Sequence, residues 1–279
     1  MKIVGVTGGK GGTGKSTAAT ALAYFLAKQY RVLLVDADVD CPNDHLLLGA
    51  SRKKYQAVEQ RIPQWDRAKC RQCGLCGSVC KTGAIAAPKN KKPVFIPEQC
   101  NGCGACVLIC PAKAISWSKK NIGVIYEAQK HKIDILSGEI KINEPVSEFI
   151  VNALNQIISR KQEKYDYILI DTAAGIHCPV AAALGICDFV LAVTEPTPLG
   201  RHDLELILQL LQKIKKPAEI VLNQSDIGDK RLIVGLADKY DKKITAEIPY
   251  SRKIATQYSK GEPISDKNIN KLAEKIVKL

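Results

Sequence analysis

Short runs of consecutive apolar residues alternate along the chain with longer stretches whose apolar positions recur every three or four residues. Residues 2 to 6 (Lys2, Ile3, Val4, Gly5, Val6) read as a buried strand. From Lys15 to Tyr30 the apolar Ala18, Ala21, Leu22, Phe25 and Leu26 take the spacing of one helix face, and Arg31 to Asp36 is a second apolar run that ends in carboxylates. The alternation breaks off there and resumes with a helix near Val146 to Arg160. A strand from Tyr167 to Ile170 follows, ending at Asp171, then an alanine-rich helix from Pro179 and a strand from Phe189 to Val193. A helix from His202 to Ile214 and a strand from Glu219 to Leu222 continue it. Apolar strands alternating with helices predict a parallel sheet covered on both faces. The expected fold class is α/β: a doubly wound, mostly parallel sheet.

The interruption has its own composition. Cys70 to Ala86 (CRQCGLCGSVCKTGAIA) and Cys100 to Ser116 (CNGCGACVLICPAKAIS) match at seven of seventeen positions, so the segment is an internal repeat with a period of 30 residues. The expected organisation is residues 1–55 and 121–279 as two parts of one α/β domain, with 56–120 as a small α+β insertion. Arg52-Lys53-Lys54 reads as a linker, Lys89 to Lys92 as the loop between repeats, and Ile122 to Glu139 as a hairpin returning to the main sheet. Residues 51–120 hold 14 Lys or Arg against 3 Asp or Glu, so this quarter carries +11 of the chain's net +13. A basic insertion suits an acidic partner; nucleic acid is disfavoured because the segment has few aromatics to stack on bases. No secretory leader and no apolar run long enough to span a membrane is visible, which makes the cytoplasm the expected compartment. Eleven cysteines in such a compartment point to metal ligation rather than disulfides.

Gly9-Lys10-Gly11-Gly12-Thr13-Gly14-Lys15-Ser16, with Thr17 after it, fits G-x-x-x-x-G-K-[ST] and lies between the first strand and the first helix. Free backbone N–H groups and the positive helix end suit a phosphate chain. Lys15 is expected on the β and γ phosphates and the Ser16 hydroxyl on Mg2+. A second lysine, Lys10, stands inside the loop. With it, the loop resembles the deviant Walker A motif of the superfamily that includes MinD, ParA, Mrp and the nitrogenase iron protein. That resemblance implies a dimer, of this chain or with a related ATPase, in which Lys10 reaches across to the partner's phosphates. Asp36-Ala37-Asp38 with Pro42-Asn43 is similar to the family's switch I, which gives Asp38 the attacking water. Asp171 to Gly175 is similar to Walker B and switch II, which places Asp171 near Mg2+. Asn223, with Pro249 and Tyr250, matches the positions that frame adenine. The resemblance covers residues 1 to 50 and about 145 to 279.

Both cysteine arrays follow C-x2-C-x2-C-x3-C, the spacing of bacterial two-cluster ferredoxins, in which each fourth cysteine ligates the other cluster. By that resemblance one 4Fe-4S cluster takes Cys70, Cys73, Cys76 and Cys110, and the other takes Cys100, Cys103, Cys106 and Cys80. A four-thiolate zinc site uses C-x2-C pairs but requires neither the third cysteine nor a second array. Lys81 stands where the second array has Pro111. Cys41 and Cys187 read as small buried hydrophobes. Cys178, seven residues after Asp171, reads as structural ahead of a bridging cluster ligand. The four histidines form no metal spacing, and Leu272, Ile276 and Leu279 mark a helix that closes the domain. The expected function is an ATPase that couples a nucleotide-driven dimer to electron transfer or metallocluster handling with an acidic redox or metallocluster protein. The alternative is a positioning or scaffold ATPase whose clusters are structural or redox-sensing.

Overall fold

In a computed structural model, which describes residues 1–278, the first apolar run is β1 (Lys2–Thr7), followed by α1 (Lys15–Leu26) and β2 (Val32–Ala37). Short α2 (Asp44–Leu47) precedes the long strand β3 (Lys53–Trp65). The repeat then supplies α3 (Leu75–Ser78), β4 (Ile85–Ala86), β5 (Val94–Phe95) and α4 (Ala105–Ile109). The chain returns through β6 (Ile115–Lys130) and β7 (Ile133–Ile140), then α5 (Glu148–Lys161), β8 (Tyr167–Thr172), α6 (Cys178–Gly185) and β9 (Phe189–Thr194). It closes with α7 (Pro198–Lys213), β10 (Ala218–Asn223), α8 (Arg231–Lys239), β11 (Ile244–Ile248), α9 (Arg252–Lys260) and α10 (Lys267–Lys278).

One nine-stranded sheet runs β11-β10-β9-β1-β8-β2-β7-β6-β3. It is parallel from β11 to β7, and β6 and β3 add antiparallel strands at one edge. Side chains alternate between faces. Ile3, Leu33 and Val35 join a core layer with α5, α6, α7 and α8, whereas Val4, Val6, Val32 and Leu34 join a second with α1 and α10. Burial on both faces is why these strands read as unbroken apolar runs. Ile269, Leu272, Ala273 and Ile276 seal α10 onto the second layer; Leu279 lies outside the described residues. Among those residues, no helix is long and apolar enough to cross a membrane.

Two local expectations need correction. Helix α7 begins at Pro198, four residues before His202, because the Thr197 hydroxyl accepts the Gly200 N–H at 3.0 Å and proline suits the first helical position. The basic stretch expected as a linker is structural: Lys53 and Lys54 open β3, and Arg52 lies 2.8 Å from Glu139. The boundaries at 55/56 and 120/121 therefore fall inside β3 and β6, which form one antiparallel ladder from the main sheet to Trp65 and Ile115. The β6–β7 hairpin turns at His131 and Lys132, both left-handed, as a two-residue hairpin loop requires.

Residues 66 to 114 form a small lobe at the end of that ladder, and its backbone repeats. Gln72 and Gly102, Gly74 and Gly104, and Gly83 and Lys113 are pairs 30 residues apart, and all six have positive φ. Gly74 and Gly104 each begin a short helix that carries the third cysteine of its array. A Cβ on Gly74 would meet the Ala87 carbonyl at 2.9 Å, and one on Gly104 would meet the Trp117 ring at 2.9 Å, so both positions require glycine.

Candidate functional site

The phosphate loop leaves β1 at Thr7 and enters α1 at Lys15. Gly12 (φ 83) and Gly14 (φ 92) are left-handed, and a Cβ on Gly14 would lie 2.3 Å from Asn223 Nδ2. Asn223 donates from that nitrogen to the Thr13 carbonyl at 2.9 Å, pinning the loop to the end of β10. No side chain caps α1 and no acidic residue stands in its first turn. Its N–H groups and partial positive charge thus face the loop, an arrangement that suits an anion. Lys15 is buried and donates to the Lys10 carbonyl at 3.1 Å.

Beneath the loop lies a set of carboxylates. Ser16 donates to Asp171 Oδ2 at 2.6 Å, while Asp171 Oδ1 is buried without a hydrogen-bond partner. Burial pushes the Asp171 carboxyl up to about 7 against the opposing pull of Ser16 and Lys15. Asp36 accepts the Asp38 and Asp44 N–H groups, and burial followed by the charge of Asp171 holds its carboxyl well above the ordinary range. Asp38 is raised by burial too, with Lys15 opposing. An orphaned carboxylate oxygen beside a serine hydroxyl is a donor set that fits Mg2+.

An open pocket adjoins the loop and Asp38. Gly11, Gly12, Gly14, Lys15, Ser16 and Thr17 line it together with Asp38, Asn223, Pro249 and Tyr250. Three loop residues face elsewhere. Gly9 packs on Asp203, Thr13 is buried, and Lys10 lies 2.6 Å from Glu195 of its own chain. Asn43 of the switch I resemblance also lines the pocket, as do Gln224, Ser251 and Ile254, Ala255 and Tyr258 of α9, which were not expected. The signal for α9 was local: Ser251 caps it by accepting the Ile254 N–H at 3.3 Å.

The sequence profile of the CobQ/CobB/MinD/ParA nucleotide binding domain matches residues 4–264. The chain belongs to this family. It is 36% identical over 263 residues to an uncharacterized protein of Methanocaldococcus jannaschii, covering 94% of this chain and 91% of that one. It is 23% identical over 277 residues to the septum site-determining protein MinD of Synechocystis, covering 94% and 81%. Among solved structures, the Pyrococcus horikoshii septum site-determining protein MinD, complexed with Mg-ADP, superposes with a TM-score of 0.62 at 22% identity, covering 99% and 95% of the two chains. These likenesses place the doubly wound sheet and its phosphate loop in the CobQ/CobB/MinD/ParA fold. Septum site-determining proteins are among these relatives, which weighs toward the positioning expectation over electron transfer.

To this CobQ/CobB/MinD/ParA core the lobe adds two groups of cysteines, all free of disulfides. Cys70, Cys73 and Cys76 line one cavity together with Cys110 of the other array and Trp65. Cys100 has Cys103 and Cys80 as its thiol neighbours, and burial pushes the Cys106 thiol up to about 11 beside Cys100 and Cys103. Each fourth cysteine thus lies with the opposite array. Among the described residues, no group of three or more His, Cys, Asp or Glu is arranged to hold a single metal ion. Cys187 is buried as expected. Cys41 is exposed, contrary to expectation, because its N–H bonds back to the Asp38 carbonyl in a tight turn that leaves the side chain outside. Cys178 is exposed at the start of α6.

Proposed function

We propose that this protein is an ATP-hydrolysing switch of the MinD/ParA kind that closes as a dimer on nucleotide, and that its lobe holds two 4Fe-4S clusters through which it senses redox state. The observation that carries the first part is the convergence of Lys15, Ser16 and Asp38 on one pocket with the glycine loop, with Asp171 buried behind Ser16 and bonded to its hydroxyl. Charge develops on the transferring phosphoryl group; Lys15 and the loop N–H groups offset it, and Asp38 orients the attacking water. Ser16 and Asp171 Oδ1 would hold Mg2+, which supplies further positive charge to the phosphate oxygens. Lys10 acts in the partner's site, for which it must leave Glu195. Asn223, Pro249 and Tyr250 frame the base. The dimer is of this chain or with a related ATPase.

Cluster ligation is supported by the exchange of Cys80 and Cys110 between arrays. In a four-iron cluster each thiolate takes its own iron, so the sulfurs need not converge on a point as they would around zinc. Cys70, Cys73, Cys76 and Cys110 hold one cluster; Cys100, Cys103, Cys106 and Cys80 hold the other. Electron transfer or metallocluster handling with an acidic partner is the second reading, favoured by the +11 charge of residues 51–120 and by the exposure of Cys73 and Cys103. Turnover assays with Lys10→Ala test the switch: ATP binding persists while hydrolysis falls by about 10²- to 10³-fold, as on removal of one transition-state donor. Unchanged turnover would refute the dimer. If clusters sense redox state, hydrolysis responds to their oxidation without an acceptor; under the second reading, acceptor reduction requires ATP turnover.

A further inference from the structure

The ladder between the sheet and the lobe carries a partly buried charge, Lys120. Lys120 of β6 is cross-strand partner to Gln60 of β3. The Lys120 ammonium donates to the Pro97 carbonyl at 2.9 Å, and that carbonyl also accepts the Cys100 N–H at 3.2 Å. Gln60 donates from Nε2 to the Cys100 carbonyl at 2.9 Å. Both backbone groups of Cys100 are therefore fixed from the ladder, one directly and one through Pro97.

On its other side Lys120 faces the nucleotide domain. Its ammonium is 2.8 Å from Glu144 Oε2, with side-chain exposures of 15% and 8%. That contact is ionic but misaligned, since Oε2 makes no hydrogen bond. Glu144 follows β7, and its N–H donates to the Lys141 carbonyl at 3.2 Å. Lys141 in turn donates to Ile122 at 2.9 Å, and Ile140 donates to the carbonyl of Val39, next to Asp38, at 2.9 Å. A Cβ on Gly138 would lie 2.7 Å from Val39 Cγ1, so the end of β7 is packed against the switch I backbone. An unbroken set of contacts thus runs from Asp38 and Val39, through Glu144 and Lys120, to Cys100. The two arrays differ here: Cys100 is buried, whereas Cys70 is half-exposed.

We propose that Lys120, set between Glu144 and the Cys100 segment, is the positioning residue through which nucleotide at switch I changes the reduction potential of the cluster on Cys100, Cys103, Cys106 and Cys80. The proposal rests on reading the arrays as cluster ligands. A cluster that accepts one electron becomes one unit more negative and forms no new bond, so a nearby, partly buried ammonium stabilises its reduced form. Movement of Val39 and the end of β7 shifts Glu144, and with it the share of the Lys120 charge that the cluster feels. Linkage makes the effect reciprocal: whatever factor nucleotide imposes on reduction, reduction imposes on nucleotide affinity.

The test uses full-length protein purified anaerobically, with iron counted first. Dithionite supplies the electrons, and each cluster is followed by electron paramagnetic resonance through a redox titration, with and without Mg2+ and a non-hydrolysable ATP analogue. The parent protein shows one cluster whose potential moves with the analogue, and analogue affinity differs between oxidised and reduced protein by about 5-fold or more. Lys120→Met makes that cluster harder to reduce and abolishes both nucleotide effects; Lys120→Arg restores them. Glu144→Gln, which keeps the lysine, abolishes the nucleotide effects as well and carries the test should Lys120→Met fail to fold. A merely structural lysine would alter stability and leave the potential of the folded protein unchanged. Eight irons per chain with potentials indifferent to nucleotide, or nucleotide effects intact in Glu144→Gln, would overturn the proposal and leave the clusters standing. A parent protein without iron would overturn both.

Discussion

Asp44 sits below the phosphate loop, wholly buried, with neither carboxylate oxygen hydrogen-bonded. Burial and the charges of Asp171, Asp36 and Asp38 hold its carboxyl well above the usual range. The folded state therefore keeps a proton that the unfolded chain loses near pH ~3.9. Stability is full below that value, declines as pH rises, and levels off above the folded-state value. Asn cannot titrate, so Asp44→Asn raises the melting temperature relative to the parent, and the gain grows with pH; thermal melts from pH 4 to 8 check it. An equal gain at every pH would contradict the assignment. Lys15 and Ser16 were legible because a phosphate loop fixes its residues at short range, and Asp171 because an apolar run ends at it and a second motif begins there. Tyr258 was not, since a return of the chain from far away places it, and neither was Asp44, whose burial depends on the fold around it.

Helix α5 is the main cover for the edge where the antiparallel strands join the sheet, and its Leu154 is fully buried in the first core layer. Leu154→Ala should cost about 2–5 kcal/mol, read as a lower denaturation midpoint. In the lobe, the exchange of fourth cysteines makes a sharper prediction. Cys110→Ser depletes the cluster of Cys70, Cys73 and Cys76, so the surviving cluster is that of the array carrying the mutation. Iron counts and paired-cluster spectra decide it, and loss of the cluster at Cys100, Cys103 and Cys106 instead would contradict the pairing. The central strands and their helices were legible as apolar runs and helical stripes. Strand β3 was not: it buries Val58 and Gln60 and exposes most of the rest, so it has no apolar run and owes its form to pairing with β6.

At the scale of the whole molecule, the lobe is an extension of the sheet and not a body on a tether. The excess positive charge of this segment and the spacing of its cysteines are visible in the sequence, but neither shows that β3 and β6 pair all the way from Lys53 and Glu127 to Trp65 and Ile115. That continuity joins a nucleotide pocket to two groups of thiolates. Anaerobic native mass spectrometry of Asp38→Ala, which on the role proposed for Asp38 binds nucleotide without turning it over, tests the joined account most directly. The predicted species in Mg2+ and ATP is a dimer with one ATP and two 4Fe-4S clusters per chain. A nucleotide-bound monomer, or chains that carry zinc or no metal, would contradict it.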